Sequence, residues 1–204
     1  MAIQNARRGR PVTFDRLAAL DAATSLFWRH GYDGTSLAML TAALGCTPPT
    51  IYAAFGSKEG LYKEVVERYR RRGAASPAQR PKAASAYAMV ERYLRAVAHQ
   101  FTDAQGPKGC MVGTGALQCA PGNEAIATYA SNARLDGLRL FAARVEEAKR
   151  QGELPEDANA DAIARFYVAV VQGMSVQAID GADRAQLDAL VDMALAAWPA
   201  GQGR

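Results

Sequence analysis

The chain has 204 residues, half of them hydrophobic, and a net charge of +4. That length fits one large domain or a small domain joined to a larger one, and the apolar content excludes a disordered or collagen-like chain. The three cysteines (Cys46, Cys110, Cys119) and two histidines (His30, His99) form neither a disulfide framework nor a metal-finger spacing.

No apolar run reads as long enough to cross a membrane. The basic opening "MAIQNARRGRPVTF" lacks the apolar segment of a secretory signal. A cytoplasmic protein with no cofactor and no metal is expected. The charge is unevenly spread. Residues 1–72 carry 11 Lys/Arg against 6 Asp/Glu, a net of +5, whereas residues 73–204 carry 13 against 14. Such asymmetry fits a first third that meets a polyanion, or a merely soluble basic surface.

In chain order, nearly everything reads as helix, because β-branched alternation is scarce. Over residues 15–29, Leu17, Leu20, Thr24 and Phe27 follow the spacing of one helix face, and Gly31 can end that helix. Thr35 and Ser36 are cap candidates for a second helix with Leu37, Leu40 and Leu44 on its face, closed by Gly45. A third, very short helix runs to Phe55. Thr47 can cap it with Pro48 inside, or it can begin at Pro49, since Pro49 disfavours helical geometry at Pro48; the first register is preferred. Gly56 breaks it, and Ser57 caps a fourth helix with Leu61, Val65 and Tyr69 aligned.

The stretch "RYRRRGAASPAQRP" marks a boundary near 73–81. Beyond it come a long helix over about 82–102, a short one in "CMVGTGALQCA", a long one after "PGNE", and two last helices. One of these carries Ile163, Phe166, Tyr167, Val170 and Met174, the other Leu187, Leu190, Val191, Ala194 and Trp198. There is no internal repeat.

Two helices joined by "GCT" form a helix-turn-helix. The second is too short to persist alone, since isolated helices below about 12–15 residues are marginal in water. Ile51 and Phe55 would dock it on the Leu37, Leu40 and Leu44 face. Thr50, Ala53 and the Pro48/Pro49 tip would then stand free, as major-groove reading requires; a three-helix structural unit that touches nothing has the same pattern. The prolines remove donors that could grip phosphate, so the tip reads as a rigid groove reader. Phosphate contacts fall to Tyr52, Thr35 and Lys58. Lys58 follows the Ser57 cap, where a cation costs on the order of 0.3–1 kcal/mol against the helix dipole unless an anion binds there or Glu59 offsets it. Arg7, Arg8 and Arg10 lie in an arm that could track a backbone or enter the minor groove, or form a basic tail. The candidate DNA-binding residues are Arg8, Arg10, Thr35, Ser36, Thr47, Pro48, Pro49, Thr50, Tyr52 and Lys58.

The stretch from "AALDAATSLF" through "GCTPPTIYAAFGSKEGLYKEVVERY" resembles the DNA-binding domain of TetR-type (TetR/AcrR family) transcriptional regulators. The resemblance rests on Phe27 before Gly31-Tyr32, on Thr35-Ser36-Leu37, on Gly45 at the turn, on the run from Ile51 to Phe55, and on Ser57-Lys58-Glu59. It covers about a quarter of the chain closely. Pro48-Pro49 departs from the small or basic residue often found there, which leaves base preference open. The resemblance implies an all-α fold: an N-terminal three-helix DNA-binding domain with its arm over 1–56, a connecting helix over 57–72, and a ligand-binding and dimerisation domain over 82–198. It implies a repressor acting on double-stranded DNA at a near-palindromic operator, and a homodimer through the last two helices, near 157–178 and 185–198. It also implies a small-molecule effector in a pocket among the central helices.

Candidate pocket residues are Phe101, Cys110, Met111, Phe166, Tyr167 and Met174, although aromatics and methionines at helical spacing are ordinarily core. Cys110 opens a short helix two residues after Lys108, where the dipole would lower a thiol pKa and make an electrophile or oxidant sensor; a packed cysteine reads the same way. Two other classes stay open: an enzyme using that cysteine, for which no base or phosphate loop is visible, and a helical scaffold with a vestigial DNA-binding motif.

Overall fold

The computed structural model describes residues 14–72 and 85–199. These residues form nine helices and no strand: α1 (Arg16–Gly34), α2 (Leu37–Leu44), α3 (Pro48–Phe55), α4 (Lys58–Arg72), α5 (Ala86–Thr102), α6 (Met111–Thr114), α7 (Glu124–Arg150), α8 (Ala160–Ile179) and α9 (Arg184–Ala196). The arm with Arg7, Arg8 and Arg10, and the boundary expected near 73–81, lie outside the described residues.

Local chemistry sets the element ends. The Asp15 carboxylate accepts from the N–H groups of Leu17 and Ala18 and caps α1. Gly31, at φ 69° and ψ 180°, breaks the regular helix, which resumes for one turn to Gly34. Ser36 caps α2 by accepting from Met39 N–H, and Gly45 ends it in the left-handed conformation at φ 60°. Thr47 takes the cap position of α3 with Pro48 and Pro49 as its first two residues. Prolines are tolerated there because those N–H groups have no intrahelical partner. Ser57 accepts from Gly60 N–H at 3.0 Å at the start of α4. Ser85 caps α5, so that helix starts a turn later than the expected 82.

Two apolar cores result. The first joins α1 to α4 through Leu20, Phe27, Tyr32, Leu40, Ile51, Phe55, Leu61, Tyr62 and Val65. It is completed by Met111 of α6, Ala116 just after it, and Ile126, Ala130 and Ala133 from the first half of α7. The second packs α5, α8, α9 and the rest of α7 around Leu94, Phe101, Phe141, Val145, Tyr167, Met174 and Leu187. The long helix α7 therefore serves both cores, and α6 is wedged at the seam. There, Trp28 Nε1 donates to the carbonyls of Lys108 (3.1 Å) and Gly109 (3.2 Å), and Tyr32 N–H donates to Gly115 O at 2.9 Å.

Three expectations need correction. Leu17 shares the helix spacing of Leu20 but is 60% exposed and takes no part in the first core. Phe166, expected on the inner face of α8, is 43% exposed; Tyr167 takes the inward position and its hydroxyl donates to Ala194 O at 3.0 Å. By length and composition alone, α8 is long and apolar enough to cross a membrane: its 20 residues contain an 18-residue window with a mean hydropathy of 1.3, 28% of it buried.

Candidate nucleic-acid interface

Helix α3 is held from behind and free in front. Ile51 and Phe55 are buried in the first core, while Thr47, Pro48, Pro49, Tyr52 and Ala53 are exposed and Thr50 is half-buried. Phe55 is fixed further by edge contact with Phe14 at 6.1 Å and by the Arg16 guanidinium 4.9 Å from its ring centre. Eight residues of helix gain from this packing what their length denies them. The Thr47 and Thr50 hydroxyls lie 3.1 Å apart, and no side chain caps the helix.

Lys58 sits at the start of α4 with its ammonium 4.3 Å from the centre of the Tyr32 ring. Burial lowers its pKa, and the nearby Asp33 carboxylate partly offsets that. A cation over an aromatic face gains about 0.5–1 kcal/mol at exposed sites and more when desolvated. This counterweight to the helix dipole was invisible in sequence, because only the fold brings Tyr32 to Lys58. Asp33 in turn accepts from Ala120 N–H at 2.7 Å and Asn123 Nδ2 at 2.5 Å, tying this corner to the segment before α7.

Thr35 does not stand at the surface. It is fully buried, and its hydroxyl donates to Gly31 O at 2.7 Å. Its expected phosphate contact is therefore corrected: the hydroxyl satisfies the carbonyl left over where Gly31 interrupts α1. Ser36 is exposed, but its hydroxyl already accepts from Met39 N–H. The basic excess is also partly spent internally. Arg68 and Arg72 pair with Asp21, Arg16 with Glu64, Lys63 with Glu59 and Arg70 with Glu67.

This arrangement coincides with known regulators. Residues 19–65 match the family profile described as "Bacterial regulatory proteins, tetR family", and residues 87–193 match "Tetracyclin repressor-like, C-terminal domain". The chain belongs to the TetR family. It is 36% identical over 194 residues to the HTH-type transcriptional repressor ComR of Escherichia coli (strain K12), covering 94% of this chain and 92% of that one. It is 32% identical over 188 residues to the HTH-type transcriptional repressor BdcR of the same organism, covering 91% and 90%. Among solved structures, it is similar to a cysteine mutant of the TetR family transcriptional regulator CifR complexed with 26bp double-strand operator DNA. That similarity has a TM-score of 0.83 and 41% identity, over 94% of this chain and all of that one.

Of the six residues expected to line a ligand pocket, four meet at the second core, with Cys110 packed against its edge, and two do not. Phe101, Tyr167 and Met174 belong to the second core, Met111 is fully buried in the first, and Phe166 points outward. Met111 thus packs with the first core, away from Phe101, Tyr167 and Met174. Cys110 lies at the seam: its Sγ accepts from Gly113 N–H at 3.3 Å and from the Tyr69 hydroxyl at 3.8 Å, and its own N–H donates to Ser175 Oγ at 2.7 Å. The expected lowering of its thiol pKa is reversed. Burial pushes the thiol up, outweighing the Gly113 and Tyr69 hydrogen bonds. α6 has only four residues, too few for a strong dipole, and Lys108 donates to the Thr102 and Asp103 carbonyls instead. Among the described residues, no group of three or more His, Cys, Asp or Glu could hold a metal ion.

Proposed function

We propose that this TetR-family regulator is a cytoplasmic repressor. It binds a near-palindromic operator as a homodimer and is released when a small molecule or electrophile acts on the helical body. The single observation that carries DNA reading is α3: buried through Ile51 and Phe55, free through Thr47, Pro48, Pro49, Tyr52 and Ala53. CifR in complex with its operator, together with the repressors ComR and BdcR, supports the same reading.

In this reading residues 1–56 form the DNA-binding unit, 57–72 the connecting helix, whose Lys58 adds a phosphate contact, and 82–198 hold the effector and dimer functions. The dimer would form through α8 and α9, which leave Phe166, Val176, Ile179 and Met193 exposed. Pairing two copies gives those apolar groups a partner and sets two α3 helices against two half-sites. The effector would act where α6 meets both cores, so that a change around Cys110 shifts the seam held by Trp28 and Tyr32.

The test is selection of binding sites from random duplex DNA, followed by affinity against salt. An enriched palindrome, with affinity falling steeply as salt rises, is expected. Recovery of no palindrome would favour a scaffold and sink the operator reading.

A further inference from the structure

Residues 36–56, "SLAMLTAALGCTPPTIYAAFG", span α2, the turn and α3 without one Lys, Arg, Asp, Glu, Asn, Gln or His. Paired hydrogen bonds to bases need those side chains: a guanidinium or ammonium on guanine O6 and N7, or an amide on adenine N6 and N7. α3 offers neither. Its outward groups are the rings of Pro48 and Pro49, the methyl of Ala53, and the hydroxyls of Tyr52, Thr47 and Thr50. The two threonine hydroxyls are within hydrogen-bond distance of each other, which leaves one proton of the pair to donate outward. The prolines also lack the N–H groups with which a helix start grips an anion.

An apolar, rigid tip has one natural counterpart in the major groove. That is the C5-methyl of thymine, the apolar group that base edges present there. We infer that α3 reads its operator through thymine methyl groups packed against Pro48, Pro49 and Ala53, and not through paired hydrogen bonds to guanine or adenine. This rests on the operator-binding reading above and specifies what is read. Because the tip is fixed by Ile51 and Phe55, the methyl contacts are made by a surface that does not reorganise on binding.

The experiment starts from a selected operator, so failure to obtain one condemns the earlier reading and not this one. Each thymine in the half-sites is replaced by deoxyuridine, which removes only the methyl. Affinity should fall about four-fold at one or two positions per half-site, the equivalent of roughly 0.8 kcal/mol per buried carbon. Where such a thymine is changed to cytosine, 5-methylcytosine should recover part of the loss, since its methyl occupies the same place. Replacing guanines by 7-deazaguanine should leave affinity within about two-fold, because α3 has no donor pair for guanine.

A fully deoxyuridine-substituted operator bound as well as the original overturns the inference. So does a loss of about ten-fold or more on 7-deazaguanine substitution, the size expected of a lost paired contact. In the Pro48→Ala, Pro49→Ala protein the sensitive positions should stop responding to deoxyuridine, and an unchanged response overturns the assignment to the proline tip. Pro49→Ala alone gives the same reading should the double variant fail to fold.

Discussion

The Lys58 ammonium lies 4.3 Å from the centre of the Tyr32 ring, at the start of α4, the helix that follows α3. This contact holds a cation at a helix terminus whose dipole opposes it. It also fixes where that cation stands relative to α3. In the proposed operator complex, a lysine so placed would contribute charge and no base discrimination.

Lys58→Ala should therefore weaken binding to all operator sequences alike. In a dimer it removes two cations, so the slope of log affinity against log salt should become shallower by about 1.8. Salt titrations of both proteins on one operator check this. Adding Tyr52→Ala should deepen the loss, and unchanged affinity in the double variant would remove both residues from the phosphate contacts.

Met193 is 76% exposed on α9, and Val176 is 48% exposed on α8. If these faces pair in the dimer, Met193→Glu with Val176→Glu places like charges in an apolar contact. Sedimentation should then show a monomer with unaltered helical content, and operator affinity should collapse. A dimer that persists would move the interface elsewhere.

Gly31 combines φ 69° and ψ 180°, a region open essentially to glycine alone. A Cβ added there would lie 2.9 Å from the Gly115 carbonyl oxygen that receives the Tyr32 N–H. Gly31→Ala should cost roughly 3 kcal/mol in urea unfolding, from backbone strain and lost contact with α6. Gly45 is the control. It is left-handed at φ 60° but has open space around it, so Gly45→Ala should cost only about 1 kcal/mol.

The Tyr62 hydroxyl is buried in the first core without a hydrogen-bond partner among the described residues. Burial pushes its pKa up to about 12 from an ordinary value near 10.0. Between those values the unfolded chain holds fewer protons than the folded one, so stability falls as pH rises. Tyr62→Phe should raise stability by about 1 kcal/mol at neutral pH, since it removes an unsatisfied polar group and leaves the ring in place. It should also make the alkaline loss shallower, though Tyr69, Tyr129 and Tyr167, raised by burial too, will retain part of it. Urea midpoints at pH 7 and above pH 10 test both.

Cys110 has its thiol pKa raised by burial. At neutral pH it should react with iodoacetamide more slowly in the folded protein than after unfolding in urea. Its rate should climb only as pH passes above the ordinary thiol range. Mass spectrometry of the modified peptide reads this directly. Rapid labelling at pH 7 in the folded state would show an exposed or activated thiolate and favour an electrophile over a small molecule as the effector.

Much of this protein was legible in its sequence, because the signals concerned are local. Ser36 and Ser57 satisfy backbone N–H groups three residues away, and Gly45 adopts a conformation that its missing Cβ permits. Pro48 and Pro49 fit a helix start for the same kind of reason, and the absence of charged or amide side chains in residues 36–56 is a property of the chain itself. What tertiary structure alone decided is which partner meets each face. Apolar patterning puts both Phe166 and Tyr167 on the inner face of α8, yet neighbouring helical residues lie about 100° apart, and packing against α9 takes one inward and leaves the other out. It places Met111 in a core, without saying that the core is the DNA-binding head's. It leaves Thr35 eligible for a phosphate, when the carbonyl freed at Gly31 had already claimed its hydroxyl. A buried polar group must find its partner inside the fold, and that partner is chosen by packing across elements rather than by spacing along the chain.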